Sequence, residues 1–256
     1  MQNYILTKKG NKKGTIVFIH GNSASSESFK PIFEDETIDF DLIAFDLIGC
    51  GSSPHSDKID DYSFASFFNQ TLNILRDIDV PILLVGHSLG GHIAIEIAKS
   101  VTNLAGILIF GAPPIKIPLN FEEAFTPSEF MPAYYMDYPD EDMIHKLFIS
   151  ILFNKDPFPL LVQDFKRCDP KLRIGLATAI QVPKDLSDEV EILATLACNK
   201  YIILTNDINI NTSYILRENA KMNCKIFEIP LSGHFPTLEA PDVFISILKK
   251  ITEEVF

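Results

Sequence analysis

The stretch PILLVGHSLGGHIAIEIAK, residues 81–99, decides the fold. A run that is apolar throughout leads into a turn bounded by Gly86 and Gly90, and a segment with helical spacing follows. Continuous apolar runs are typical of strands covered on both faces, as in a parallel sheet flanked by helices. The stretch therefore predicts a buried strand that turns sharply into a helix, with Ser88 at the turn.

Other short apolar or β-branched runs recur along the chain at long intervals. Helical patterns lie between most of them, and those at 62–78, 88–100 and 241–255 place apolar residues three and four positions apart. Alternating strands and helices predict an α/β fold with a mostly parallel sheet, right-handed crossovers and helices on both faces. The further predicted strands are 4–7, 15–20, 41–46, 104–111, 201–205 and 225–229.

The alternation stops between Gly111 and Tyr201. This segment has no convincing strand, and a structureless loop of that length is implausible in a compact domain. Four helical patterns, at 139–153, 157–167, 171–180 and 188–197, predict a helical insertion instead. The insertion also concentrates aromatic residues, of which we expect some to pack its helices together and the rest to line an apolar pocket. The candidate pocket residues are Phe130, Tyr134, Tyr135 and Phe153.

Gly86-His87-Ser88-Leu89-Gly90 matches the G-x-S-x-G pattern of a nucleophilic serine. The pattern alone is common, but here it lies between a predicted strand and a predicted helix, which is the context that the chemistry requires. Such a turn forces the serine into a strained conformation with positive φ, and the flanking glycines avoid steric clashes. Ser88 is therefore the candidate nucleophile.

A serine nucleophile needs a base and an acid that orients the base. His234 lies between the last strand and the last helix, and Asp207 directly follows the strand at 201–205. The carboxyl ends of parallel strands lie at one edge of a sheet, so these loops converge on Ser88. The order Ser, Asp, His is the one expected for this motif. Glu218 and Glu239 remain weaker alternatives for the acid.

An oxyanion hole needs two backbone N–H groups aimed at one point. Leu89 follows the nucleophile and supplies one of them, and Asn22, in the loop after the strand at 15–20, is the candidate for the other. The Asn22 side chain is a possible further donor. His20 is expected to have a structural role because only one base is needed, and His87, His92 and His145 are expected to pack or to face solvent.

Composition limits the other function classes. The chain has 22 basic and 34 acidic residues, a formal charge of −12, which makes it a poor candidate for binding nucleic acid or anionic membranes. The longest nearly apolar stretch, 104–115, is shorter than the ~20 residues of a membrane span. The four cysteines form no metal-ligand pattern and are expected to be free thiols, and no signal peptide is evident, so a cytoplasmic location is expected. No metal or cofactor is expected.

Several motifs together resemble the α/β-hydrolase superfamily, over about 14–111 and 200–256. The resemblance implies an α/β-hydrolase core at 1–112 and 199–256, a helical cap at 113–198, and a structural role for Asp46. Only 19 residues precede His20, so the first strand of the family is expected to be absent, leaving about seven strands. The motifs are His20-Gly21-Asn22, Asp46-Leu47-x-Gly49-x-Gly51-x-Ser53, Gly86-His87-Ser88-Leu89-Gly90-Gly91, and Gly233-His234 with Glu239-Ala240-Pro241.

The resemblance implies a serine hydrolase that cleaves a carboxylic ester or lactone with an apolar acyl part. HGNS, GGHIAIE and GAPP are also similar to an acyl-homoserine-lactonase subgroup, in which Asn22 or a cap tyrosine is a possible partner of the substrate amide. C–C bond hydrolysis and a proline iminopeptidase-like activity on the same machinery remain alternatives. A non-catalytic ligand receptor on this fold is an alternative of another class. The expected partner is a small-molecule ester or lactone, and the oligomeric state is left open.

Overall fold

The apolar runs of the sequence form a single sheet. A computed structural model of the chain describes residues 3–119, 121–181 and 183–256. Residues 1, 2, 120 and 182, which belong to the predicted core and cap segments, lie outside the described residues. The strands are β1 (Ile5–Lys8), β2 (Lys12–Ile19), β3 (Phe40–Phe45), β4 (Ile82–His87), β5 (Leu104–Phe110), β6 (Asn199–Thr205) and β7 (Lys225–Ile229).

The described strands lie in the order β1-β3-β2-β4-β5-β6-β7. β1 runs antiparallel to β3, and all other neighbours are parallel. This confirms the predicted mostly parallel sheet of seven strands, with a single strand before β2 in the described part of the chain. The candidate nucleophile follows β4 at the centre of the sheet.

The first turn is not the hairpin loop that the cluster of Lys8, Lys9, Lys12 and Lys13 suggests. β1 and β2 are not neighbours, because β3 lies between them. The turn passes over the start of β3 instead, where Gly10 N–H donates to the Asp41 carboxylate at 3.0 Å and Asn11 N–H to Asp39 at 2.9 Å. The turn is therefore held by hydrogen bonds to these acidic side chains. In a hairpin it would be held by pairing between the two flanking strands.

Helices cover both faces of the sheet, which explains why its central strands are apolar throughout. In β4, Ile82 and Leu84 pack into one apolar cluster while Leu83 and Val85 pack into another on the opposite face. Helices α2 (Phe64–Leu75), α3 (Leu89–Ile97), α8 (Glu189–Thr195) and α9 (Thr212–Met222) contribute to the first cluster. Helices α1 (Lys30–Glu34) and α11 (Pro241–Val255) contribute to the second, and the short helix α10 (Pro236–Glu239) directly precedes α11.

The segment between β5 and β6 is helical, as the sequence predicts. It contains α4 (Phe121–Ala124), α5 (Glu141–Ile151), α6 (Phe158–Arg167), α7 (Pro170–Gln181) and α8. A third apolar cluster joins α5 and α6 to Phe235, in the loop that carries His234. By contrast, Val190, Ile192 and Leu193 of α8 belong to the same cluster as α3. Within the described residues, no helix is long and apolar enough to cross a membrane.

Candidate active site

Ser88 occupies the sharp junction between β4 and α3. Its backbone has φ 52° and ψ −121°, which confirms the strained conformation that the motif predicts. Side chains on the flanking glycines would be impossible here: a Cβ on Gly86 would lie 2.5 Å from the Gly90 carbonyl oxygen, and a Cβ on Gly90 would lie 2.0 Å from that of Ile19. The close approach of β4, α3 and β2 therefore requires glycine on both sides of Ser88.

Two backbone N–H groups beside Ser88 are available to a ligand. Leu89 is the first residue of α3, so its N–H has no acceptor within the helix. The Asn22 N–H donates to no group in the described part of the chain, and both residues line the same cavity as Ser88. The Asn22 side chain is already engaged, because its Nδ2 donates to the Tyr134 carbonyl at 2.9 Å and its Oδ1 accepts from Ser23 at 3.0 Å.

The structure brings His234 and Asp207 together. His234 lies in the loop after β7 and Asp207 in the loop after β6, and the His234 Nδ1 hydrogen-bonds the Asp207 Oδ2. The other Asp207 oxygen accepts from the Asn209 N–H at 3.0 Å. The Asp207 carboxylate is almost fully buried, and the His234 ring lines the cavity with Ser88. With Nδ1 held by the carboxylate, Nε2 is the ring nitrogen left for proton transfer.

The alternative acids are placed elsewhere. Glu218 forms ion pairs with Lys116 at 3.2 Å and Arg217 at 3.0 Å, on α9. Glu239 accepts hydrogen bonds from the backbone N–H groups on either side of His234, Gly233 and Phe235, each at 2.9 Å. It also accepts from Phe153 and Asn154, at 2.7 and 3.1 Å. One carboxylate thus fixes the histidine loop to the end of α5, a positioning role that the sequence reading missed.

His87 contacts the backbone of His234. Its Nε2 donates to the His234 backbone carbonyl at 2.8 Å, and its ring stacks on Phe110 with centroids 4.9 Å apart. Burial, and then the neighbouring His234, holds the pKa of His87 well below its ordinary value. A neutral His87 keeps positive charge away from the base.

His20 and Asp46 hold the loops behind the site. His20 Nδ1 donates to the Gly21 carbonyl at 2.7 Å, and its Nε2 accepts from the Leu47 N–H at 3.0 Å. The Asp46 carboxylate accepts from the Ser26 and Ser52 N–H groups, each at 2.7 Å. Both side chains are buried and act on the framework, in agreement with the structural roles expected for them.

The cavity over Ser88 has a volume of about 90 Å³. Tyr134 and Tyr135 line it, and their hydroxyls hydrogen-bond no described group. Phe130 and Phe153 are not among its lining residues. Phe130 packs against the third apolar cluster, and the Phe153 side chain is 53% exposed. Phe130 directly precedes the 3₁₀ helix Met131–Tyr135, and Phe153 lies two residues after the end of α5. The aromatic content of the segment gives no signal of which way each ring points.

An apolar chamber of about 320 Å³ adjoins this cavity. The two share several walls, which belong to the loop after α4, the turn before α5, and α7. The shared residues are Phe125, Met131, Tyr135 and Ile180. The apolar lining of the cavity over Ser88 is therefore shared with that of the chamber.

Two further polar side chains line the cavity. His92, one turn after Ser88 on α3, places its Nδ1 at 2.9 Å from both carboxylate oxygens of the fully buried Glu189. Asn209, in the loop after β6, is 4% exposed, and its Oδ1 has no hydrogen-bond partner. The sequence reading placed His92 in packing or on the surface and did not single out Asn209. The one signal in the sequence that points to His92 is its position four residues after Ser88, which is about one turn along a helix.

Two further described histidines, His55 and His145, are not among the residues that line the cavity. His145 lies on α5 at 3.7 Å from Glu141, and the half-exposed His55 lies 3.6 Å from Asp169. Within the described residues, no group of three or more His, Cys, Asp or Glu side chains is arranged to hold a metal ion. The four cysteines are free, with the Cys50 and Cys168 sulfurs 3.4 Å apart.

Comparison with known proteins relates both fold and sequence to one family. The profile described as Alpha/beta hydrolase family matches residues 16–247. A probable esterase of Oryza sativa subsp. japonica is 22% identical over 246 residues, 93% of this chain and 90% of that protein. An uncharacterized protein of Mycobacterium bovis is 34% identical over 95 residues, 37% of this chain, and the match spans only 27% of that relative's length.

A solved structure matches the whole architecture. It is a variant of N-acyl homoserine lactonase AidH complexed with N-hexanoyl homoserine lactone, with a TM-score of 0.84 and 21% identity, and the match covers 98% of this chain and 93% of that one. At this identity, the likeness establishes the fold.

Proposed function

The chain belongs to the alpha/beta hydrolase family, and from that premise we propose that it is a serine hydrolase that cleaves a carboxylic ester or lactone with an apolar acyl part. One observation carries the proposal. Ser88, in its strained junction, shares a cavity with His234, whose Nδ1 is held by the buried Asp207. This combination supplies a nucleophile, a base and the group that orients the base.

The proposed reaction has two stages. His234 Nε2 takes the Ser88 hydroxyl proton as Oγ attacks the substrate carbonyl, and the Asn22 and Leu89 N–H groups stabilise the resulting oxyanion. The imidazolium then gives its proton to the leaving alkoxide, which departs as the alcohol or stays tethered in an opened lactone, and Ser88 is left acylated. Water, deprotonated by His234, hydrolyses this acyl-enzyme. These groups need no metal or organic cofactor for ester cleavage.

The walls of the cavity support an apolar acyl part. Leu89, Phe125, Met131 and Leu176 line it, and the adjoining chamber adds Phe121 and Ala177. Burying apolar chain against such surfaces contributes up to about 0.8 kcal/mol per methylene. We therefore expect kcat/KM to rise by up to about fourfold for each added methylene until the cavity and chamber are filled.

The same walls disfavour the peptidase alternative. Recognition of a free peptide amine requires carboxylates that face the nucleophile, and the cavity lining in the described residues contains none. Glu189 is adjacent, but its carboxylate contacts the His92 ring and the Ile115 N–H at 2.8 Å. An uncharged ester fits this surface better than a peptide with a free amino group.

Labelling with a fluorophosphonate and turnover of p-nitrophenyl esters of two to twelve carbons test the proposal. Ser88→Ala should abolish labelling and lower kcat by several orders of magnitude, with an unchanged Tm. Ser100→Ala, which removes an exposed hydroxyl near the far end of α3, is the matched control and should behave as the native protein. A native protein that binds esters without turnover would be a receptor, and a strict preference for acetyl esters would contradict the apolar acyl part.

A further inference from the structure

The Asn22 N–H, one of the two donors of the proposed oxyanion hole, belongs to a strained turn. The turn covers residues 21–24 and is closed by a hydrogen bond of 3.4 Å from the Ala24 N–H to the Gly21 carbonyl. Its third residue, Ser23, has φ 53°, a backbone conformation that favours glycine at this position of a turn. A serine in that conformation costs free energy, so contacts from outside the turn are needed to maintain it.

The helical insertion between β5 and β6 supplies such contacts to the oxyanion loop, defined here as residues 21–25. The Asn22 Nδ2 donates to the Tyr134 carbonyl at 2.9 Å. The Ser25 Oγ donates to the Asp164 carboxylate at 2.5 Å, and both of these residues are buried. Side chains on both sides of the strained position are therefore hydrogen-bonded to the insertion.

Arg173, on α7, connects the oxyanion loop with several parts of the insertion. It is 3% exposed, and its Nε and Nη2 donate to the Met136 and Asp137 carbonyls at 2.7 and 2.6 Å. Its Nη1 donates to the Phe165 carbonyl at 3.3 Å and to the Ser23 Oγ at 3.5 Å. The guanidinium carbon lies 4.5 Å from the centroid of the Phe165 ring. One buried group thus contacts the oxyanion loop, the segment after the 3₁₀ helix, and the last turn of α6.

These contacts suit an arginine. A guanidinium is planar and carries five N–H donors in a fixed arrangement, so it can serve several acceptors at once. Hydrogen bonds from a charged donor are stronger than those between neutral groups, and burial of the charge is costly unless its donors are satisfied. The two shortest bonds end on the carbonyls two and three residues beyond Tyr134. Arg173 therefore fixes the segment whose Tyr134 carbonyl accepts from the Asn22 side chain.

We propose that Arg173 is a positioning residue of the oxyanion hole, which holds the Tyr134 segment and Ser23 so that the Asn22 N–H faces the cavity over Ser88. The inference rests on the proposed ester hydrolysis and deepens it. Arg173 is not among the residues that line the cavity, so it takes no part in bond making and acts through Asn22.

Arg173→Met tests the proposal, because it keeps much of the aliphatic volume and removes every donor. A catalytic group displaced by about 1 Å costs roughly a hundredfold in rate, so kcat with p-nitrophenyl acetate should fall by about tenfold to hundredfold. KM should stay within about twofold, since the oxyanion forms only as the carbonyl is attacked. The rate is expressed per active site, counted by complete reaction with a fluorophosphonate. A purely structural role would lower the number of sites and leave kcat per site unchanged.

A double-mutant cycle tests whether Arg173 acts through Asn22. Asn22→Ala keeps the backbone N–H but removes the side chain that bonds the Tyr134 carbonyl, so its kcat per site should also fall by about tenfold to hundredfold. If the two residues belong to one network, their effects are not additive in free energy. The double variant should then be no more than about twofold slower than the slower single variant, whereas independent effects would multiply.

A second variant and a control complete the experiment. Arg173→Lys keeps the charge but lacks the planar array of donors, and it replaces Arg173→Met in the same measurements if that variant does not fold. Arg76→Met changes an exposed arginine at the end of α2 and should keep the native kcat and KM.

The outcomes separate the two proposals. Native kcat per site in the Arg173 variant or in Asn22→Ala, or a multiplied loss in the double variant, would overturn the positioning role and leave the ester hydrolase in place. An absence of labelling and turnover in the native protein would overturn the proposed function itself.

Discussion

Two imidazole rings that line the cavity are each paired with a buried carboxylate: His234 with Asp207, and His92 with Glu189. Their local chemistry is alike, because in each a buried carboxylate holds Nδ1 and leaves Nε2 free. They differ in what positions them. Asp207 and His234 lie on loops at the carboxyl ends of β6 and β7, whereas Glu189 and His92 lie on the helices α8 and α3, and Glu189 also accepts from the Ile115 N–H.

The comparison shows that a pair of residues acquires its role from its place in the fold. A carboxylate beside an imidazole creates an oriented, basic ring anywhere in a protein. Only a ring that can reach the nucleophile, from loops that converge on it, can serve as its base. In the proposed reaction the pair on the loops moves protons, whereas the pair on the helices takes no part in bond making.

The largest expected effect is the loss of the acid in the first pair. Asp207→Asn removes the charge that holds the His234 ring and stabilises its protonated form, so kcat with a p-nitrophenyl ester should fall about ten-thousandfold. Steady-state kinetics at saturating substrate measures the change. Activity close to that of the native protein would show that another acid orients His234, and Glu239 and then Glu218 would be the next variants to make.

A smaller but still large effect is expected at Glu239, which holds the loop of the first pair. Glu239→Gln keeps the shape but places an amide group against backbone N–H donors, leaving at least one of them unsatisfied. The free energy of unfolding should fall by about 2–4 kcal/mol, because buried donors lose a charged acceptor. Urea unfolding monitored by circular dichroism measures this. A loss below about 0.5 kcal/mol would show that the loop does not depend on these four hydrogen bonds.

Most of the first pair was predictable from the sequence, and most of the second was not. Ser88 and its glycines are dictated by local sterics, and His234 and Asp207 follow from the rule that loops at the carboxyl ends of parallel strands converge. Glu189 lies 97 residues from His92 in the chain, and no local pattern joins them. The contact depends on how α8 packs against α3, which the spacing of apolar residues in α8 alone does not fix.

The same distinction explains the predictions about the cap. The helices at 139–153 and 157–167 were anticipated because helical periodicity is a local property, and the structure forms α5 and α6 there. The choice of Phe130 and Phe153 as cavity residues depended on how separate helices meet, which local periodicity does not specify. The helix α9 was not anticipated, because its exposed face and low overall hydrophobicity weaken the apolar repeat.

A third prediction concerns the carboxylate of the second pair. Glu189→Gln should lower kcat with a p-nitrophenyl ester by less than about tenfold, against about ten-thousandfold for Asp207→Asn. It should also lower the free energy of unfolding by about 1–3 kcal/mol, since the Ile115 N–H and the His92 ring lose a charged acceptor. A loss of activity as large as that of Asp207→Asn would contradict the division of roles and place this pair in the chemistry.

A further test of the second pair compares how the free energies of unfolding of the native protein and Glu189→Gln depend on pH. The pKa of His92 is raised in the folded protein, so its pairing with Glu189 stabilises the fold fully below the unfolded pKa of about 6.5 and progressively less as pH rises through the folded pKa. The stability difference between the native protein and Glu189→Gln should therefore shrink as pH rises above about 6.5. A difference that grows with pH would contradict the ion pair.

The smallest expected effect concerns His87, which hydrogen-bonds the backbone carbonyl of His234 in the first pair. Burial holds its pKa well below the ordinary value, so below about pH 6.5 the unfolded chain binds a proton that the folded protein does not. Stability must then fall as pH decreases, by at most about 1.4 kcal/mol per pH unit for this residue. His87→Gln retains a side-chain N–H for the His234 carbonyl but cannot titrate.

The measurement is urea unfolding of both proteins between pH 7 and pH 5. The variant should lose stability less steeply than the native protein over this range, and the remaining slope includes His20, whose pKa is also lowered by burial. His145→Gln, at a position on α5 that is partly exposed to solvent, controls for the replacement of a histidine by glutamine. Parallel curves for the native protein and His87→Gln would mean that His87 takes up a proton in the folded state. A positive charge would then lie next to His234, and a neutral His87 could no longer explain how positive charge is kept away from the base.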